Sequence, residues 1–355
     1  RSVKRGDVPK VLSLLVQHGA DESILYETHP HIGTDRLPSV IENIRNTILK
    51  SGGEVHFNTK VVSLIKKDEN VIGVKCGNGE EYLGPVILAT GHSAKDVYRF
   101  LSISSVPLEA KDTAVGVRLE HPQSLIDQIQ YHNPKGRGDY LPPATYSFVT
   151  QVNGRGVYSF CMCPGGSIVP TATEYGYLSV NGMSSSSRSG SKANSAMVVQ
   201  IRREDVPDKG IFSVLDWVEE LERNSFRDKF MAPAQRMADF VSNRLSSSLP
   251  GTTYAPGLVS SDLYGVLPPI VSSSLKEGFM AFNAMTRGKF LTNEAVMIAS
   301  ETRTSSPIRI IREDFNAVPG LYPAGEGSGY AGGIVSAAID GTEVAKAVAE
   351  RYLSK

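Results

Sequence analysis

The segment from Leu321 to Gly341, LYPAGEGSGYAGGIVSAAIDG, most constrains what this chain can fold into. Apolar residues ending at Ala324 predict a short buried strand, the glycine-rich run predicts a turn, and Ile334 begins an apolar run that predicts a helix. Because glycine has no Cβ, such a turn exposes backbone N–H groups, and a helix N-terminus adds partial positive charge. This combination favours a phosphate or another electron-rich ligand.

Three glycines of this segment, Gly327, Gly329 and Gly332, satisfy the dinucleotide pattern G-x-G-x-x-G. An opening Rossmann unit also requires a second parallel strand that ends in an acidic residue about 20 positions later. The sequence after Gly341, TEVAKAVAERYLSK, instead predicts more helix. We therefore predict the closing strand–turn–helix of a fold, with a glycine-rich helix start that binds no ligand as the alternative.

Composition narrows the class of protein. The chain has 355 residues, enough for two domains, and its 37 Lys and Arg balance 37 Asp and Glu. That balance predicts neither nucleic acid nor membrane as a partner. No apolar run has the length of a membrane span, no signal peptide is visible, and Cys76, Cys161 and Cys163 cannot form a disulfide framework. We expect an intracellular soluble protein; a bacterial cytoplasm and a plastid stroma both fit.

In the first hundred residues the spacing of apolar residues changes once, from that of helices to that of strands. Apolar spacing predicts a helix over 8–18 and a second one, capped by Thr34 or Asp35, that stops at Gly52 and Gly53. His29 and His31 form an H-x-H pair, but no cluster completes a metal site, so no metal is predicted. Strand-type runs follow, with a hairpin at 78–80 and a helix after Gly91; the runs cover residues 54–59, 61–68, 71–77 and 80–90.

The middle of the chain is rich in predicted strands. Strand patterns occupy residues 113–120, 145–152, 156–163, 167–173, 177–184, 195–202 and two stretches within 297–311. Helical spacing is found at residues 124–132, 212–226, 235–243 and 270–285. Residues 184–191, SSSSRSGS, are small and polar enough to predict a mobile loop.

This order predicts an α/β domain interrupted by a mixed, β-rich α+β insert. We place the first part at residues 1–106, a central substrate-type domain at 107–304, and the return to the first domain at 305–355. Both ends of the chain then belong to the first domain.

Several blocks of the sequence together resemble a known family. They are PHIGTD (30–35), LATGHSAKD (88–96), VGVRLEHPQ (115–123), YSFCMCPGG (158–166), NGMS (181–184), ETRTSSPIRI (301–310) and YPAGEGSGYAGGIVSAAIDG (322–341). In this order, and over almost the whole chain, they closely resemble the FAD-dependent dehydrogenase-like proteins of bacteria and plastid-bearing eukaryotes.

The resemblance implies a fold and a cofactor. Its implied architecture is the two-dinucleotide fold of FAD/NAD(P)-binding flavoproteins, with FAD as the cofactor. Such proteins combine an N-terminal G-x-G-x-x-G unit, an A-T-G turn after a β meander, and a closing strand–glycine–helix. The last two are present here, whereas no strand followed by G-x-G-x-x-G precedes Ala89. The chain therefore corresponds to the C-terminal two-thirds of such a protein, and its first residue, Arg1, also favours a fragment.

The resemblance also implies cofactor-binding positions. Val61 takes the place that contacts the adenine through its backbone, and Thr90 and Gly91 match the A-T-G turn. Glu326 takes the place of the acidic residue that binds the ribitol, although a carboxylate there is also typical of a helix cap. The remaining implied positions, which belong to the closing turn and the helix that faces the pyrimidine ring, are Gly325, Gly327, Gly332, Gly333 and Ile334.

Two kinds of side chain are candidates for chemistry over the flavin. Cys161 and Cys163 form C-x-C, and residues two apart share one face of an extended strand, so they predict either a redox-active pair or small buried hydrophobes. His92 follows the A-T-G turn and His121 lies beside Glu120. Either histidine is a candidate general acid or base, with a satisfied core histidine as the alternative.

A third group precedes the closing motif. Glu301, Arg303 and Arg309 alternate with hydroxyl residues, and an arginine there is suited to binding a substrate carboxylate, with an interdomain ion pair as the alternative. Arg118 and Glu120 alternate with apolar residues as on a half-exposed strand.

The sequence thus predicts an FAD-dependent oxidoreductase that passes hydride between flavin and a small organic substrate. NAD(P)H or another electron donor or acceptor is a candidate partner. A non-catalytic ligand-binding or scaffold protein that keeps the flavoprotein fold is the alternative.

Overall fold

The computed structural model describes residues 6–172 and 174–353. Thr173, at the end of the strand predicted over 167–173, lies outside the described residues, as do residues 1–5 and 354–355 at the chain ends. The helices are α1 Val8–Gln17, α2 Leu37–Lys50, α3 Lys95–Ile103, α4 Gln123–Gln130, α5 Ser213–Ser225, α6 Met237–Val241, α7 Leu263–Val266, α8 Pro269–Met285 and α9 Ile334–Leu353.

The strands form one large sheet and several small ones. In chain order they are β1 Val61–Lys67, β2 Asn70–Cys76, β3 Glu81–Leu83, β4 Val86–Leu88, β5 Leu108–Ala110, β6 Thr113–Pro122, β7 Val149–Val152, β8 Arg155–Cys163, β9 Ser167–Pro170, β10 Val180–Met183, β11 Lys192–Ile201, β12 Ala232–Arg236, β13 Leu258–Ser260, β14 Val296–Glu301, β15 Ile308–Ile310 and β16 Leu321–Pro323.

The large sheet is mixed and has the strand order β13-β12-β14-β6-β11-β8-β7. Only β12 and β13 pair in parallel; the other neighbours are antiparallel. Helix α8 packs against this sheet, and the β9–β10 hairpin also contacts it. Nearly all of β6 is buried because both of its faces are covered. Arg118 and Glu120 are therefore fully buried, and the half-exposed pattern predicted for this strand is wrong.

The smaller sheets carry the glycine-rich turns. β1, β2 and β3 form an antiparallel meander, β5 pairs with β15, and β4 pairs in parallel with β16. Helix α1 packs on α9, so the two ends of the described chain are in contact. The whole is a mixed α/β structure; the domain limits 1–106, 107–304 and 305–355 stay a prediction.

Three local predictions are wrong. Residues 54–59 form no strand, and this segment exposes Val55 and Phe57 to solvent. The helix predicted over 235–243 is shorter than expected. Gln235 belongs to strand β12 and pairs with Met297 of β14, and this strand pairing overrides the helical spacing. The cap predicted for α2 is absent: Arg36 is the N-cap residue, without a side-chain cap.

The serine-rich segment explains the missing cap. Asp35 accepts hydrogen bonds of 2.7 Å from both the backbone N–H and the hydroxyl of Ser186, and Thr34 donates to the carbonyl oxygen of Ser184. The nearby His31 ring nitrogen contacts the carbonyl oxygen of Ser185. Residues that the sequence suggested as a cap thus hold the serine-rich loop against the start of α2.

One observation concerns membranes. Among the helices of residues 6–172 and 174–353, none combines the length and the apolar character needed to cross a bilayer.

Candidate functional site

Two short strands bring the glycine-rich turns together. In the parallel pair of β4 and β16, Val86 lies opposite Leu321 and Leu88 opposite Pro323. The backbone N–H of Ala324 extends the ladder by donating to the carbonyl oxygen of Leu88 at 2.9 Å. Because carboxyl ends of parallel strands meet at one edge, the turn after β4 and the turn after β16 lie side by side.

The two turns touch at their glycines. A Cβ added to Gly327 would lie 2.5 Å from the carbonyl oxygen of Gly91, so only glycine fits at this crossing. Gly325 and Gly329 have φ values of 72° and 84°, a backbone conformation that favours glycine. The predicted Thr90–Gly91 turn and the closing turn therefore form one continuous backbone surface.

Buried polar groups fix the closing turn from below. The Tyr98 hydroxyl, on α3, donates to the carbonyl oxygen of Gly327 at 2.9 Å and lies 2.9 Å from the Ser306 hydroxyl. Burial raises the pKa of Tyr98 to about 12, so the phenol keeps its proton. The backbone N–H of Gly325 donates to Asp340 at 2.7 Å, and Asp340 pairs with Arg312 at 2.5 Å.

His92 and Glu326 meet above the turns. The Nδ1 atom of His92 lies 3.5 Å from Oε1 of Glu326, and their side chains are 18% and 25% exposed. Nε2 of His92 is buried and has no hydrogen-bond partner among the described residues. Since buried polar atoms are normally paired, this nitrogen marks a place where a ligand atom would complete the site.

The other predicted cofactor positions occupy different surroundings. Gly332 and Ile334, at the start of α9, are exposed, with Gly333 between them, and the carbonyl oxygen of Gly333 accepts the first bond within α9, from Ala337. A Cβ at Gly332 or Gly91 would meet nothing within 4 Å. Val61 begins β1, in the meander sheet, and thus belongs to a different sheet from the two turns.

The arginines before the closing motif form ion pairs. Arg303 Nε lies 3.2 Å from the fully buried Glu222 on α5, and Lys95 lies 2.6 Å from the same carboxylate. Burial opposes ionisation of Glu222, but Arg303 and Lys95 outweigh it and hold its pKa below the usual range. Arg309 pairs with Glu109 at 2.6 Å. Both arginines therefore have protein carboxylates as partners, as in the ion-pair alternative.

A second polar cluster lies inside the large sheet. Arg118 is fully buried, with Nη1 3.5 Å from Glu301 and Nη2 3.2 Å from Cys163 Sγ. Burial raises the pKa of Glu301 to about 7, against the opposing effect of Arg118. Glu301, Cys161 and Cys163 are thus brought together around one buried cation, whereas Arg303 points to Glu222.

His121 lies in apolar surroundings. Its Nε2 is 3.0 Å from the carbonyl oxygen of Phe290 and its ring packs against the Phe290 ring. Since the carbonyl accepts, Nε2 carries the proton, and Nδ1 has no partner among the described residues. Burial lowers the pKa of His121 to about 4.

Sequence reasoning missed the residues that support the site. Tyr98 and Arg312 lie outside the quoted sequence blocks, and Ser306 and Asp340 lie inside two of them without a predicted role, because the role of all four depends on contacts between distant parts of the chain. One signal was available: Asp340 follows an apolar run at the start of α9, where a carboxylate that is largely shielded from solvent requires a partner.

Comparison with known proteins identifies the family of this chain. Residues 112–304 match the family described as FAD-dependent protein, C-terminal domain-like. An uncharacterized protein of Clostridium beijerinckii is 39% identical over 353 residues, covering 96% of this chain and 66% of the relative. This chain therefore spans somewhat less than two thirds of that relative.

Solved structures give weaker likenesses. A salicylate hydroxylase substrate complex aligns with 88% of this chain and 55% of its own, at 10% identity and a TM-score of 0.36. An open flavocytochrome c3 fumarate reductase aligns with 97% and 65%, at 12% identity and a TM-score of 0.35. These scores are too low to assign a shared fold.

The protein is thus of the mixed α/β class, with two glycine turns paired at the ends of parallel strands. More narrowly, the chain belongs to the family of FAD-dependent proteins, C-terminal domain-like, because that family matches more than half of its length. FAD is the cofactor of this family, and the residues present fit it: a Cβ at Gly91 or Gly332 would meet open space, and His92 Nε2 is buried without a hydrogen-bond partner in the described part of the chain.

Proposed function

We propose that this protein is a dehydrogenase-type oxidoreductase that uses FAD to exchange a hydride with a small organic substrate. We also propose a two-dinucleotide-fold arrangement, of which this chain supplies the A-T-G turn and the closing turn. Family membership supports the cofactor. The parallel pairing of β4 with β16, which joins the two turns, is the observation that carries the proposal.

Different residues of this chain would contact different parts of FAD. Glu326 offers a carboxylate to sugar-like hydroxyls, and the bare backbone at Gly91 and Gly332 permits close approach of a flat ring. The first turn of α9 places partial positive charge where an anionic ring would lie, which stabilises it by about 0.3 to 2 kcal/mol. Bound FAD would supply the two-electron acceptor that amino-acid side chains lack.

His92 is suited to handle a proton. The tautomer with its hydrogen on Nδ1, which lies 3.5 Å from the Glu326 carboxylate, would leave Nε2 as an acceptor. A substrate hydroxyl or amine that donates to Nε2 would lose its proton there as hydride leaves the adjacent carbon. NAD(P)H remains a proposed alternative electron donor, and Glu301, Cys161 and Cys163 lie in the separate cluster around Arg118.

The test uses the complete natural protein, since this chain spans 66% of its relative. The purified protein should show flavin absorbance in stoichiometric amount, and a panel of small alcohols, amines and acids should contain a compound that bleaches it anaerobically. Replacement of His92 by Gln should slow bleaching while leaving the flavin bound. Protein that stays colourless after reconstitution with FAD would refute the proposal and favour a non-catalytic ligand-binding or scaffold role.

A further inference from the structure

The two nearby cysteines differ sharply in exposure. Strand β8 is interrupted where it pairs with β11: the register shifts between Asn194 and Ala196, and Cys161 adopts a left-handed φ of 48°. This bulge exposes Cys161 while Cys163 stays buried. A buried, hydrophobic role, which the sequence left open for both cysteines, is therefore wrong for Cys161.

The bulge nevertheless keeps the Cys163 thiol against the backbone of Cys161. Cys163 Sγ donates to the carbonyl oxygen of Cys161 at 3.6 Å. An exposed cysteine and a buried one are thus neighbours at the bulge. Such an arrangement suits attack by the outer sulfur followed by closure onto the inner one.

A buried cation stabilises negative charge at this pair. Arg118 Nη2 donates to the carbonyl oxygen of Cys161 at 2.6 Å and to Cys163 Sγ at 3.2 Å. Its Nε donates to Asn194 Oδ1 at 2.7 Å, which fixes the guanidinium in place. The cation is therefore directed at the Cys163 sulfur and the Cys161 carbonyl oxygen, and it is out of contact with solvent.

A second observation also points to a ligand at this place. Asn194 lies opposite Cys163 in the strand register and is fully buried, yet its Nδ2 has no partner among the described residues. The unpaired amide donor beside Cys163 leaves a hydrogen-bonding position open to a polar ligand at the cysteine pair.

From this arrangement we propose that Cys161 and Cys163 form a hydroperoxide-reactive thiol pair, with Cys161 as the attacking thiolate and Cys163 as the resolving thiol. The proposal is independent of FAD binding. It assigns a modification site to the large sheet, whereas the paired glycine turns follow the strands of a separate, two-stranded sheet.

The chemistry balances in two steps. The Cys161 thiolate attacks the terminal oxygen of a hydroperoxide; the O–O bond breaks, the alcohol or water leaves with a proton from solvent, and Cys161 becomes a sulfenic acid. The Cys163 sulfur then attacks the Cys161 sulfur, forming an S–S bond and releasing water. In sum, two thiols are oxidised and one hydroperoxide is reduced, giving one alcohol and one water.

The acidity of the thiols agrees with these roles. A hydrogen bond from Cys163, together with Arg118, lowers the pKa of Cys161 to about 6. The same hydrogen bond and burial raise the pKa of Cys163. Cys161 is therefore largely a thiolate at neutral pH, while Cys163 holds its proton until the first step has occurred.

The C-x-C spacing predicts a reversible bond. A disulfide across one intervening residue closes a tight ring, and strained disulfides are more readily reduced than structural ones. Mild dithiol should therefore restore both thiols after peroxide is removed.

The experiment titrates the reduced chain with hydrogen peroxide and follows each cysteine by differential alkylation and peptide mass spectrometry. We expect a peptide in which Cys161 and Cys163 have lost two hydrogens, formed roughly tenfold or more faster than any product at the buried Cys76. The Cys163→Ser variant should accumulate a sulfenic acid at Cys161 that dimedone labels. The Cys161→Ser variant should form neither product, and the matched Cys76→Ser variant should behave as wild type.

Three results would overturn the proposal. One is oxidation of Cys161 no faster than that of Cys76. Another is passage of wild-type Cys161 to sulfinic acid while Cys163 stays reduced. The last is an unchanged product pattern in the Cys161→Ser variant. The wild-type measurement decides the matter by itself if a variant fails to fold.

Discussion

Nδ1 of His92 lies 3.5 Å from Oε1 of Glu326, although the two residues are far apart in the sequence. His92 follows the strand β4, and Glu326 follows β16, so the parallel pairing of these strands is what brings the two side chains together. A disturbance of either turn should therefore affect both.

We first predict that Glu326→Gln weakens FAD binding to the complete natural protein. The amide keeps the shape of the side chain but loses the charge that strengthens its hydrogen bonds. Charged hydrogen bonds contribute about 1.5–3 kcal/mol, so the dissociation constant should rise roughly tenfold or more. Fluorescence titration of the apoprotein with FAD measures this change.

The matched control is Glu343→Gln. Glu343 lies on α9, is 47% exposed and pairs with Lys346 on the same helix. Equal FAD affinities for all three proteins would show that Glu326 does not bind the cofactor.

The next prediction concerns the crossing of the two turns. In Gly327→Ala the new Cβ would lie 2.5 Å from the Gly91 carbonyl oxygen, and backbone must move to relieve the contact. We expect a loss of about 1–3 kcal/mol in the free energy of unfolding, typical of overpacking. Urea unfolding of this chain without cofactor measures it.

Gly341→Ala provides the opposite case. A Cβ at this position of α9 meets nothing within 4 Å, and alanine favours a helix over glycine by up to about 1 kcal/mol. This variant should be as stable as wild type or more so. If both variants were destabilised alike, the close approach at Gly91 would not be the cause.

The predictable parts of this fold are those set by local pattern. Helix α8 and strand β6 follow from their spacing, and the closing strand–turn–helix follows from its glycines, because each depends on neighbours in sequence. The resemblance assigned Gly91 and Gly327 to cofactor binding, but it did not predict their contact. Nothing local dictates which strand pairs with β4.

The unpredicted parts depend on distant contacts. Arg118 shows the same alternation as an exposed strand residue, and only the packing of other elements over β6 buries it. The bulge at Cys161 arises from pairing with β11, so the sequence alone suggested an ordinary strand. Likewise, Asp35 is a good helix cap by type, but the serine hydroxyl of a distant loop binds it instead.

A further prediction follows from the low pKa of His121. Burial lowers this pKa to about 4, from 6.5, so between these values the unfolded chain binds more protons than the folded one. The associated stability is fully present above pH 6.5 and is lost as the pH falls to 4, by an amount on the order of 2–3 kcal/mol. In His121→Gln this part of the loss of stability at acid pH should disappear.

Chemical unfolding at several pH values measures how steeply the free energy of unfolding changes with pH, and this slope, not the absolute stability, is the test. The slope is informative even if glutamine packs less well against Phe290. Replacement of the exposed His29 by Gln is the control and should leave the wild-type slope unchanged. A His121→Gln protein with the wild-type slope would contradict the prediction.

Glu301 should give the free energy of unfolding a pH dependence of the opposite sign to that from His121. Burial raises its pKa from 4.5 to about 7, so the folded state favours the neutral carboxyl, and the stability this provides below pH 4.5 is lost as the pH rises through 7. Between pH 4.5 and 6.5 the slopes of Glu301 and His121 oppose each other, so wild type conceals both. In Glu301→Gln, stability relative to wild type should therefore increase by on the order of 1–3 kcal/mol from pH 4.5 to 8. The exposed Glu294→Gln variant is the control, and a pH-independent difference would mean that Glu301 is ionised throughout, as the partner of Arg118.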